Sequence, residues 1–165
     1  MNEQHPSNLQ AFPPSPPEPR GVFRMAMESG VVPTPMDRRD AALAHILGAI
    51  VGLFSAGLFF PVLAPTIVLL FNTTRSPFVL FHVNQAAWFQ GIVSLGAIIF
   101  GVLFVLLYFV TCGMGIFLLP LALFPWLASV AVPFWVAMMA YDGKWSGYPW
   151  LRDWVLDDAS PLVAD

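Results

Sequence analysis

Apolar positions along this chain fall into long unbroken blocks rather than into alternating or short amphipathic runs. The blocks run from Ala41 to Phe71, from Ala86 to Val110 and from Ile116 to Tyr141, and Arg75 is the one charged residue between Ala41 and Tyr141. A helix needs about 20 apolar residues to cross a ~30 Å hydrocarbon core. The second and third blocks each predict one spanning helix, over about residues 84–110 and 115–141. The first block is too long for one straight span and too short for two full ones. It predicts two short helices, about 41–58 and 60–74, forming a hairpin that barely spans or re-enters, with Gly57, Pro61 and Pro65 at the turn.

Basic residues favour the cytoplasmic side of a membrane. The full basic set is Arg20, Arg24, Arg38, Arg39, Arg75, Lys144 and Arg152. A folded-back first block puts all of them on one face, with only the uncharged loop around Cys112 on the other. The expected fold class is therefore an all-α integral membrane protein of four helical segments, with both termini cytoplasmic.

The flanks read differently. Residues 1–36 hold half of the 16 prolines, which favours an extended, solvated arm. The membrane domain is expected over 37–156, and residues 157–165 form an acidic tail. Within the domain, residues 149–156 place Trp150, Leu151, Trp154 and Val155 on one helix face, as in a helix lying at the headgroup level. Trp145 and Tyr148 extend that aromatic belt.

Composition narrows the function classes. Hydrophobic residues make up 58% of the 165 and charged residues 10%, with mean hydropathy +0.72. The lipid bilayer is the expected surround. The net charge of −3 and the lack of a basic stripe argue against nucleic acid. One cysteine excludes an internal disulfide framework. No cofactor is expected.

Polar residues concentrate where the second block begins: His82, Asn84, Gln85 and Gln90. Polar groups near hydrocarbon need partners, so this entrance forms either a polar lining or a set of interhelical hydrogen bonds. His45, one turn into the first helix, falls at the same depth as His82. The pair lacks a third metal ligand, so no metal site is expected. Gly52-Leu-Phe-Ser-Ala-Gly57 misses the spacing of a nucleophile elbow, and no catalytic residue is assigned. The small residues Gly48, Gly52, Gly91 and Gly101 suit close helix packing, in a compact bundle or a homo-oligomer.

The order of an apolar hairpin opening Ala-His45-Ile-Leu-Gly48, then Ser76-Pro-Phe-Val-Leu-Phe-His-Val-Asn-Gln-Ala86, two long helices and Asp142-Gly-Lys-Trp-Ser-Gly-Tyr-Pro-Trp-Leu-Arg-Asp-Trp154 resembles a known family. It is the small four-helix membrane family of the chloroplast inner-envelope import translocon component and its bacterial relatives. The resemblance covers about residues 40–155 and rests most on His82, Gln85 and the tail positions Gly143, Lys144, Pro149 and Asp153. It implies a non-enzymatic protein of the bacterial plasma membrane, involved in protein translocation or forming a channel-like oligomer. The residues alone favour a structural or assembly subunit of a larger membrane complex.

Overall fold

A computed structural model describes residues 21–54, 60–71 and 76–157. Among these every regular element is helical. α1 spans Val22–Glu28, α2 Pro35–Phe54, α3 Phe60–Phe71, α4 Pro77–Val110, α5 Leu119–Tyr141 and α6 Arg152–Asp157, with a 3₁₀ turn at Met114–Leu118 before α5. Arg75, Ser55, Gly57 and the acidic tail beyond Asp157 lie outside the described residues, as do residues 1–20 of the proline-rich arm.

Local chemistry moves several expected boundaries. α2 begins at Pro35, not near 41, because Thr34 and Asp37 cap it reciprocally. The Asp37 carboxylate accepts from the Thr34 backbone N–H (3.0 Å) and hydroxyl (2.8 Å), while the Asp37 N–H donates to Thr34 Oγ1 (3.2 Å). Pro35 then stands where a missing donor costs nothing. α4 starts at Pro77 rather than 84, where a proline suits the first turn of a helix. The arm also departs from extended chain over Val22–Glu28. Phe23 is buried there against Phe81, Val155 and Leu156, and the Arg24 guanidinium binds the Asp157 carboxylate through two nitrogens. Pro65 lies inside α3 instead of at a turn.

Registers fix the topology. Ala41 and Ala42 share a cluster with Ala137 and Ala140, so α2 and α5 are antiparallel. Ala44 packs with Val68, Val79, Val83 and Ala86, while Gly52 approaches Pro61 and Gly91 approaches Val62. α3 is thus antiparallel to both α2 and α4. The central α2 touches α3, α4 and α5. At the far end, Cys112 (φ 51°) and Gly113 (φ 92°) reverse the chain, a left-handed conformation that glycine adopts without cost.

Burial on the two long helices is one-sided along their length. All buried residues of α4 lie between Phe78 and Ser94. From Leu95 to Val110 its large side chains are exposed apart from the half-buried Ile98 and Phe104, and those described on α5 from Leu119 to Leu127 are exposed too. Both long helices are long and apolar enough to cross a membrane, α4 with mean hydropathy 2.7 and Met114–Tyr141 with 2.1 over their most apolar stretches.

Candidate functional site

The polar residues converge where α2, α4 and the segment after α5 meet. Gly143, at φ 78°, turns that segment back over the amino-terminal half of α4, with the Arg38 guanidinium lying against it. The segment after α5 closes over His45 of α2 and His82 of α4, so neither ring reaches solvent; both are fully buried.

A single chain of hydrogen bonds results. The Tyr148 hydroxyl lies 3.0 Å from His45 Nδ1, His45 Nε2 lies 3.1 Å from His82 Nδ1, and His82 Nε2 lies 3.2 Å from the Lys144 carbonyl. Its polarity follows from the last link. A carbonyl only accepts, so His82 Nε2 carries a hydrogen and, in the neutral ring, His82 Nδ1 is bare. His82 Nδ1 then accepts from His45 Nε2–H, and His45 Nδ1 accepts from the Tyr148 hydroxyl. Every ring nitrogen is used once, with both imidazoles neutral. A backbone carbonyl cannot pass a proton onward, so the chain ends there; it is a lock rather than a relay.

Gln85 adds a second tie. Its Oε1 accepts from the Tyr148 N–H at 3.2 Å, and a Cβ on Gly147 would land on its carboxamide. Gln85 Nε2 is buried and has no hydrogen-bond partner among the described residues. The Tyr148 ring stacks on Phe89, centroids 4.1 Å apart and planes within 5°. Trp145 packs between Phe78 and Phe81 at 5.2 and 5.4 Å. Of these two aromatics, expected in a headgroup belt, Tyr148 instead belongs to the core and Trp145 is half-buried against it; Trp150 and Trp154 remain exposed.

The other candidates separate. Asn84 Nδ2 donates to Leu80 O within its own helix at 2.9 Å. Gln90 lies further along α4, where Cβ atoms on Gly48 and Gly52 would meet its side chain at 3.1 and 3.3 Å. Those glycines therefore make room for a buried amide. Gly91 meets only Val62 at 4.0 Å, and Gly101 faces open space. The Lys144 ammonium is exposed and pairs with Asp142 at 3.1 Å; its backbone carbonyl is what the lock uses. Pro149 and Asp153 are exposed. Among the described residues no group of three or more metal-ligating side chains occurs. Tyr148 and Gly147 were not singled out as site residues by the sequence pattern, although the Gly143-x-x-x-Gly147-Tyr148 spacing in a charged, aromatic turn marks a segment that lies close to a neighbour.

Burial pushes the Tyr148 phenol up from its ordinary value of 10.0. The folded state holds that proton more tightly than the unfolded chain does. Its contribution to stability is therefore complete below about pH 10 and declines as the pH rises beyond it. Thermal unfolding of the reconstituted protein between about pH 9 and 12 should show this alkaline loss, and Tyr148→Phe should flatten it. At neutral pH the same variant should cost ~1–2 kcal/mol, because His45 Nδ1 loses its donor. A parallel alkaline loss in both proteins would place the cause elsewhere.

Helices with an internally closed polar cluster at one end and two long apolar arms beyond it define a small helical membrane protein. The chain belongs to the magnetosome magnetite crystal formation protein family (MamF/MmsF), whose model matches residues 36–155. This replaces the resemblance to the import translocon component: the matching family is a different one, and protein translocation has no support in it. No curated protein and no solved structure matches the chain.

Proposed function

We propose that this chain is a non-catalytic structural protein embedded in the membrane around a growing magnetite crystal. Its family's description supplies the setting. The observation that carries the structural part is the closed hydrogen-bond chain Tyr148–His45–His82–Lys144. Residues that an enzyme or a polar pore would direct at a substrate are here spent on one another, and they fasten the segment after α5 to α2 and α4. The finer topology in this reading has α4 and α5 crossing the bilayer, α2 and α3 returning to the side they start from, and both termini on one face. The basic residues Arg24, Arg38, Arg39, Lys144 and Arg152 all belong to that face, which the charge rule makes cytoplasmic.

The test is a deletion in the native host, combined with a fluorescent fusion that retains the chain. The fusion is expected to decorate crystal-bearing membranes, and the deletion to change crystal size or shape as measured by electron microscopy. A fusion spread evenly over the cell membrane, with crystals unchanged on deletion, would overturn the proposal.

A further inference from the structure

The two halves of the molecule differ in breadth. Beside α4 from Phe78 to Ser94 lie α2, α3 and the last turns of α5, where Val136, Ala137 and Ala140 are buried. The described parts of α2 and α3 end near this level, since Gly52 faces Gln90 and Pro61, and Gly91 faces Val62. Past Ser94, α4 continues to Val110, and among the described residues its neighbours there are the 3₁₀ turn and, at few points, α5. Four helices thus give way to two.

Aromatic residues place this change relative to a bilayer. Trp88 meets Trp154 edge to face, and Trp135 sits next to Val136, which packs in the cluster of Phe89 and Tyr148. These three tryptophans mark one level, with Trp126 deeper on α5. Tyr108 lies near the other end of α4. From Trp88 to Tyr108 a helix rises ~30 Å at about 1.5 Å per residue, the thickness of a hydrocarbon core, and interfacial Trp and Tyr sit at its two boundaries. Between these levels the chain has no charged residue, and most large side chains of α4 from Leu95 onward are exposed. On this placement the described ends of the hairpin, Phe54 and Phe60, stay within the leaflet that the broad half occupies, and the exposed apolar face of α3 (Leu63, Ile67, Leu70 and Phe71) lies against the lipid of that leaflet.

We infer that the protein is a wedge, four helices broad at one leaflet and two in the other, whose fitting partner is a bilayer that bulges toward the broad side. Extra volume inserted shallowly into one leaflet expands that leaflet, and binding of such shallow elements depends on curvature. A membrane convex on the broad side relieves the crowding, whereas a flat one must stretch. The inference rests on the bilayer-crossing reading of α4 and α5.

Membrane tubes drawn from giant vesicles containing the full chain, labelled at Cys112, test it. Protease access to the segment after α5 reports orientation. Molecules with the broad side outward should be enriched on outward tubes, with a tube-to-vesicle density ratio above one that grows as the tube narrows. Molecules with the broad side inward should be depleted. A ratio of one at every radius, with α4–α5 protected from protease, would overturn the wedge while leaving the bilayer reading in place. Loss of that protection would overturn both.

Discussion

His45→Ala should destabilise the fold by ~3–5 kcal/mol, more than any other single truncation in the polar cluster. The ring occupies a fully buried position between two partners, donating to His82 Nδ1 at 3.1 Å and accepting from the Tyr148 hydroxyl at 3.0 Å. Removing it leaves a bare ring nitrogen and a hydroxyl unpaired in a dry interior, each worth ~1–3 kcal/mol. It also opens a void between α2, α4 and the turn after α5. Unfolding in nanodiscs measures the loss. His45→Ala combined with Tyr148→Phe should cost less than the sum of the two single changes, because the second change removes a group the first has already orphaned. Additive costs would show that the two side chains are not coupled.

Gly147→Ala should be nearly as damaging for a steric reason. An added Cβ would overlap the Gln85 carboxamide, which accepts from the Tyr148 N–H. Either Gln85 leaves its site, or the 142–151 segment lifts away and stretches the histidine chain. Overpacking of this kind costs ~1–3 kcal/mol, occasionally more. Shortening the obstacle should restore part of the loss, so Gly147→Ala with Gln85→Ser should be more stable than Gly147→Ala alone. Hydrogen exchange at residues 144–151 should rise in the single variant and recover in the double. A double variant no better than the single one would assign the damage to the backbone rather than to Gln85.

These two residues show what the sequence makes legible and what it withholds. The apolar blocks and the placement of basic residues are properties of long stretches, so the helices over α4 and α5 and the return of the first block can be read directly. Folding back the first block also brings His45 level with His82, and the two meet. What a pattern of types cannot specify is which backbone crosses which side chain. Tyr148 reads as a belt residue because tyrosine suits an interface, yet its stacking on Phe89 and its bond to His45 draw it inside. Gly147 carries no side chain to signal anything; its role is visible only once Gln85 is seen against it. The boundary at Pro35 follows from capping by Thr34 with Asp37, and that at Pro77 from a proline that suits the first turn, local signals that hydropathy alone does not carry. The resemblance to the import translocon component fails for a related reason. A hairpin, a polar helix entrance and an aromatic tail are demanded by this packing, and such packing needs are not peculiar to one family.

The account depends most on α4 and α5 crossing the bilayer with the polar lock on a single side. The direct measurement is labelling of single cysteines by a membrane-impermeant reagent in sealed vesicles of one orientation. One site is the native Cys112, which is exposed, and the other is Asp153→Cys in a Cys112→Ser background, at an exposed position of α6. The predicted result is labelling of Cys112 from one side only and of the cysteine at position 153 from the opposite side only. Labelling of both from the same side would contradict the account.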